Sequence, residues 1–97
     1  MQTLAIEGEL TIFTAAERKI ELLDFLNSGD SLEVNLAGIS EIDTAGLQLL
    51  ILIKREAARA SKNLSFVMHS NSVLEVLELA KLTSAFGDQV VLAQHKE

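Results

Sequence analysis

The chain contains no cysteine, no proline, no tryptophan and no tyrosine. Without thiols it can form no disulfide, no thiolate metal site and no thiol redox couple, and its composition suits a reducing compartment. Lack of proline removes polyproline docking motifs, and four phenylalanines as the only aromatics leave no platform for stacking nucleobases. Basic residues are scarce too: 8 Lys and Arg stand against 14 Asp and Glu, a net charge of −6. That balance argues against nucleic acid or anionic lipid as the main partner. No apolar run reaches the roughly 18 residues of a membrane-spanning helix, and no basic and apolar leader with a small-residue cleavage site opens the sequence. The expectation is a cytoplasmic protein without membrane insertion.

Motifs of catalysis are missing as well. There is no glycine-rich phosphate loop, no G-x-S-x-G and no H-E-x-x-H, and the two histidines, His69 and His95, stand far apart in sequence. Asp43 beside Thr44 has no evident third partner for nucleophilic chemistry. No enzyme activity, cofactor or metal is therefore expected. The 97 residues suit one domain spanning 1–97, burying on the order of 60 to 70% of the surface of the unfolded chain.

What is present is a regular alternation of strand and helix patterns. Leu4, Ile6, Leu10 and Ile12 alternate with Ala5, Glu7, Glu9 and Thr11, as in a strand with one buried face, and Gly8 interrupts them in the manner of a bulge. Thr14-Ala15-Ala16-Glu17 matches a capping box, and Ile20, Leu23 and Leu26 continue at helical spacing to Asn27-Ser28-Gly29. Leu32, Val34 and Leu36 form a second one-sided strand ending near Gly38. A long helix runs to about Lys62, followed by a third strand at Leu64, Phe66 and Met68. A second capping box, Ser72-Val73-Leu74-Glu75, opens a third helix with Val73, Val76, Leu77 and Ala80 on one side. Val90-Val91-Leu92-Ala93 reads as a short last strand. This order predicts an α/β fold with a single mixed or mostly parallel sheet of four strands or slightly more. Because the strands alternate and are not continuously apolar, the helices are expected mainly on one face, with Glu7, Glu9, Glu33 and Asn35 on the other.

Between the second strand and the long helix lies Glu41-Ile42-Asp43-Thr44-Ala45-Gly46-Leu47-Gln48-Leu49-Leu50. Asp43 or Thr44 is the N-cap. Gly46 in the first turn costs roughly 1 kcal/mol of helix propensity, which points to a close backbone approach or tight packing there. Free N–H groups and the helix dipole favour an anion at this end, so the Thr44 hydroxyl reads either as a simple cap or as a phosphate acceptor; local chemistry does not choose between them. With Gly46, Leu49, Leu50, Ile53, Ala57 and Ala60 inward, Gln48, Ile51, Arg55 and Arg59 point outward and Leu47 and Leu52 flank them. An apolar outer face of this kind suggests a partner-binding patch centred on Leu47, Ile51 and Leu52, with Gln48 and Arg55 beside it. Packing within the domain, or a homodimer interface, would explain it equally well. Lys54, Arg55, Arg59 and Lys62 read first as a solvated face.

These residues, with the order of elements over nearly the whole chain, resemble the STAS domains of bacterial anti-sigma-factor antagonists. Gly8-Glu9-Leu10 and the stretch from Val73 to Phe86 add to the resemblance. It implies a protein that binds an anti-sigma factor, often itself a serine/threonine kinase, until it is phosphorylated at the start of the long helix and later restored by a phosphatase. Thr44 matches the phosphorylated position, Asp43 its acidic neighbour, and Ala45 and Gly46 the residues that follow. Two departures stand out. Thr11 replaces the acidic residue usual after Gly-Glu-Leu, and the first recognisable strand lies close to Met1, so the sheet is expected to be smaller at that edge. The DTxGL pattern is shared by a scaffold subunit of bacterial lipid-transport ABC complexes, and a chemotaxis- or biofilm-linked adaptor is a further reading within signalling.

Overall fold

The computed structural model describes residues 1–80. The expected strand at 90–93, the end of the stretch from Val73 to Phe86, and His95 lie outside the described residues. Six elements follow in order: β1 (Gln2–Leu10), α1 (Ala15–Leu26), β2 (Ser31–Ile42), α2 (Thr44–Arg59), β3 (Asn63–Val67) and α3 (Asn71–Ala80). The sheet has the order β1-β2-β3, and both pairs are parallel. One continuous core joins Ile6 and Leu10 of β1, Leu32, Val34 and Leu36 of β2 and Leu64 and Phe66 of β3 to all three helices. Glu7 and Glu9 on the opposite face are exposed, and Glu33 and Asn35 are half-buried. The alternation in the sequence thus corresponds to a sheet with its helices on one side.

Strand β2 is longer than its sequence pattern suggests, and the reason is a pair of bulges. Leu36 and Ala37 both stand opposite Ile6, and Ser40 has no counterpart between Gly8 and Glu9. Each extra residue resets the alternation, so that Leu36, Ile39 and Ile42 are all buried. A period of two therefore fails beyond Leu36 although the strand continues to Ile42. The expected irregularity at Gly8 is present with the extra residue on the neighbouring strand, while Gly8 itself takes φ +91°, a conformation that favours glycine.

Two helix starts differ from the capping-box reading. The Thr14 side chain makes no capping bond to α1; its Oγ1 accepts from Thr11 N–H at 3.0 Å and donates to the Glu9 carbonyl at 3.1 Å, bracing the turn out of β1. Helix α3 is capped by Ser70, whose Oγ accepts from Val73 N–H at 3.3 Å, whereas Ser72 donates to the Ser40 carbonyl at 2.9 Å. Both serines and the threonine satisfy backbone groups, but a competing acceptor or a shifted frame decides which. The stripe of α1 is also rotated from expectation: Leu22 and Leu26 face the core, Leu23 is half-buried, and Ile20 is 70% exposed.

Helix α2 sits over the core with Gly46, Leu47, Leu49, Leu50, Ile53 and Ala57 buried. Gly46 is the point of closest approach. A Cβ there would lie 2.0 Å from the Leu10 carbonyl oxygen and 3.0 Å from Ile42 Cγ1. Backbone cannot yield as a flexible side chain can, so the end of β1 and the first turn of α2 can meet only through a glycine. Gly46→Ala should remove stability at the scale of overpacking, about 1–3 kcal/mol or more, despite the better helix propensity of alanine. Urea unfolding of the two proteins measures it; a variant as stable as the parent would contradict this packing.

Candidate functional site

The first turn of α2 and the loop from β1 to α1 are tied together by one side chain. Asp43 is the N-cap, in extended backbone conformation, and its Oδ1 accepts from Gly46 N–H at 3.0 Å. Its Oδ2 accepts from Ile12 N–H, 31 residues away in sequence, at 2.9 Å. The backbone reinforces the link: Asp43 N–H reaches toward the Leu10 carbonyl at 3.4 Å, and Leu47 N–H donates to the Asp43 carbonyl at 2.9 Å. The Ile12 N–H, followed by that of Gly46, holds the Asp43 carboxyl below the usual carboxylate range. The side chain is therefore ionised at neutral pH.

Thr11 completes the loop from the other side. It is buried, its hydroxyl donates to Glu9 Oε1 at 3.2 Å and accepts from Phe13 N–H at 3.3 Å. A residue that looked like a missing acid is thus a structural hydroxyl in a tight turn. The turn thrusts its tip outward: Ile12 is 68% exposed and Phe13 88% exposed. Ile12 had been assigned to the inward face of the first strand, but β1 ends at Leu10. Exposed Glu9 and Glu41 and the half-buried Asp43 belong to the same end of the sheet.

The other expected site residues can now be placed. Thr44 is the first residue of α2 and exposed, and Ala45 is half-buried. The helix-end donors serve the Asp43 carboxylate; they do not converge on the Thr44 hydroxyl, as the sequence had suggested. Leu47 is only 5% exposed, and Ile51 and Leu52 are half-buried and packed against the core. The outer apolar patch expected on α2 is therefore largely taken up by the domain itself. Gln48 and Arg55 are exposed. The solvent-facing apolar surface beside Thr44 belongs instead to Ile12 and Phe13, which the sequence reading missed. Part of the signal was there: Phe13, bracketed by Thr11 and Thr14, fits neither the strand period nor the helix stripe, whereas Ile12 continues the alternation of the first strand. At the far end of α2 a cleft of about 150 Å³ is lined by Lys54, Lys62, Leu64 and neighbouring residues. Both lysines there donate to backbone carbonyls, Lys54 to Leu64 and Lys62 to Gly29, so their charges are engaged in holding the fold.

Residues 1–92 match the family profile described as "Mlab, STAS domain". The chain belongs to the STAS-domain family. Among solved structures, a proposed anti-sigma factor antagonist from Thermotoga maritima superimposes with a TM-score of 0.76 at 24% identity, covering 92% of this chain and 76% of that one. At this identity the likeness speaks for the fold, and function must be argued from the site. The STAS fold places the clamped start of α2 and the tip of the β1–α1 loop side by side on one end of the sheet.

The ionised clamp makes a pH prediction with a definite sign. A carboxyl held below its ordinary value contributes stability that is fully present above the unfolded pKa, about 3.9, and is lost as pH falls through the lower folded value. Asp43→Asn keeps one acceptor but turns an amide NH₂ toward the second N–H donor. The melting temperatures of parent and variant should differ most at neutral pH and converge in the acid limb below about pH 4. A difference that stays constant through that range would show that the charge plays no part.

Proposed function

We propose that the protein is a non-catalytic binding module of the partner-switching type, an anti-sigma-factor antagonist whose docking surface is the start of α2 together with the β1–α1 loop. Its partner is an anti-sigma factor that is also a serine/threonine kinase. Phosphorylation of Thr44 ends the association and a phosphatase restores it. The observation that carries this reading is the exposed Thr44 hydroxyl at the N-terminus of α2, next to a loop that Asp43 fixes with Ile12 and Phe13 facing solvent. A large aromatic left in solvent beside another apolar side chain is a mark of an interaction surface. A dianion placed beside it would repel an acidic partner and be costly to desolvate against an apolar one.

The same exposed pair also favours a second reading, a constitutive scaffold such as the small subunit of a lipid-transport ABC complex, because large apolar side chains left in water suit a permanent interface. In that case Thr44 only begins a helix. The family membership is compatible with both readings.

One set of variants separates them. Phe13→Ser should leave stability within about 0.5 kcal/mol of the parent and weaken partner binding at least about tenfold, the scale of a lost aromatic anchor. Thr44→Glu should weaken binding comparably with no change in melting temperature, while Thr44→Ala stays bound after kinase treatment. Calorimetric titration against the anti-sigma factor kinase, with phosphopeptide mass spectrometry, reads all three. If Thr44 is never modified and Thr44→Glu binds like the parent while Phe13→Ser does not, the scaffold reading replaces the switch.

A further inference from the structure

Among the described residues the large apolar side chains that stand in solvent are Met1, Ile12, Phe13 and Ile20. All but Met1 fall within the β1–α1 loop and the first half of α1. Ile20 is the one that the proposed docking surface does not use, and it is 70% exposed. It belongs to a stripe. Ala16, Ile20 and Leu23 follow one another at i, i+4 and i+7, the spacing of one helix face, and Phe13 stands one turn ahead of Ala16. A hydrogen-bonded turn, Thr14 N–H to the Thr11 carbonyl at 2.9 Å, leads from the loop into that helix. Leu22 and Leu26 take the other side of α1 into the core. From Phe13 to Leu23 the outer stripe runs about 15 Å at roughly 1.5 Å per residue. Ala16, small and exposed between Phe13 and Ile20, leaves a notch of the kind that receives a ridge of another helix.

Charge is distributed unevenly along this stripe. Glu17, Glu21 and Asp24 line one flank at helical spacing, and Lys19 alone stands on the other. Glu21 pairs with Arg18 at 3.1 Å, whereas Glu17 and Asp24 are exposed and have no ion-pair partner among the described residues. Asp24 lies in the last turn of α1, which contains no basic residue, so its carboxylate opposes the helix dipole. The charge does nothing for the helix that carries it. We infer that α1 receives a helix of the binding partner, one whose apolar stripe is flanked on one side by lysine or arginine. This rests on the docking reading of Phe13 and extends that surface from the loop tip along α1. Charge complementarity names the occupant: cations beside Glu17 and Asp24 satisfy what the domain leaves unpaired. A second copy packed antiparallel on α1 would set the acidic flank against itself, and each chain carries a net charge of −6. The acidic flank lies beside Arg18, whose guanidinium donates to the Glu7 carbonyl of β1, whereas Thr44 begins α2. Attraction on α1 and a phosphate-driven switch on α2 therefore involve different elements.

Calorimetric titration against the anti-sigma factor kinase tests the assignment. Ile20→Ser exchanges residues of similar helix propensity at an exposed site; it should leave the melting temperature unchanged and weaken binding about tenfold. Glu17→Lys combined with Asp24→Lys should weaken it by a similar factor, and the affinity of the parent should fall with added salt while that of the double variant changes much less. Phe13→Ser separates this inference from the reading beneath it. If Phe13→Ser weakens binding and Ile20→Ser does not, the partner docks on the loop alone and the α1 assignment falls; if neither does, both fall. A double charge variant that binds as tightly as the parent, or a parent whose affinity ignores salt, would overturn the basic flank. Sedimentation of the free protein should show a monomer. A parent dimer that Ile20→Ser dissociates would make a second copy the occupant and overturn the assignment.

Discussion

The upper end of the molecule depends on how closely the first turn of α2 can approach the end of β1. A glycine at position 46 lets the Leu10 carbonyl come within a distance that any Cβ would forbid, at a loss of roughly 1 kcal/mol in helix propensity relative to alanine. That approach brings the Asp43 carboxylate within reach of two N–H groups that belong to different elements, one in its own helix and one in the β1–α1 loop. Each is a backbone donor, at a helix end or in a turn, that would otherwise need water. One side chain thereby caps a helix and closes a loop 31 residues away in sequence, and the exposure of Ile12 and Phe13 follows from where that loop is pinned.

The bulges in β2 serve the same geometry. A regular strand continuing past Leu36 would turn every second residue inward, and Ile39 and Ile42 would fall on opposite faces. With Ala37 and Ser40 as extra residues, both isoleucines stay in the core and Ile42 ends beneath Gly46. The strand thus delivers Asp43 to the top of the sheet with its backbone extended and its side chain free to cap. Local irregularity in β2 and the missing side chain at Gly46 act together: the first sets the height of the helix start, the second its distance from β1.

How much of this could be read from the sequence depends on the range of the interaction concerned. One-sided alternation in Leu32-Val34-Leu36 and Leu64-Phe66 is a local pattern, and it placed the strands and the helix-covered face correctly. Gly46 was legible as a close approach because its propensity loss in a first turn needs a reason. The capping boxes at Thr14 and Ser72 misled because a hydroxyl has several acceptors and donors within reach, and only tertiary structure shows that Thr14 braces a turn and Ser72 binds β2. Ile12 was misplaced because alternation cannot reveal where a strand stops. The burial of Leu47 escaped for a related reason: a helix packed by both sheet and neighbouring helix hides more than one stripe.

The electrostatics of the site decide what a phosphate on Thr44 could act upon. At an ordinary helix start, an added anion would find unsatisfied N–H groups and order them around itself. Here Gly46 N–H is already committed to a carboxylate that remains ionised at neutral pH, and so is the Ile12 N–H that holds the loop. To take those donors, a phosphate would have to displace Asp43 and release Ile12, against both the existing hydrogen bonds and the covalent reach of the neighbouring residue. Leaving them in place puts the dianion outward, on exposed Thr44 next to a carboxylate of the same sign, that of Asp43. Either way the added charge alters the surface formed by Thr44, Ile12 and Phe13 more than it alters the core beneath, since none of these three side chains contributes to the buried cluster. The fold therefore separates the residue that could carry a signal from the residues that carry stability, and Asp43 is where the two meet.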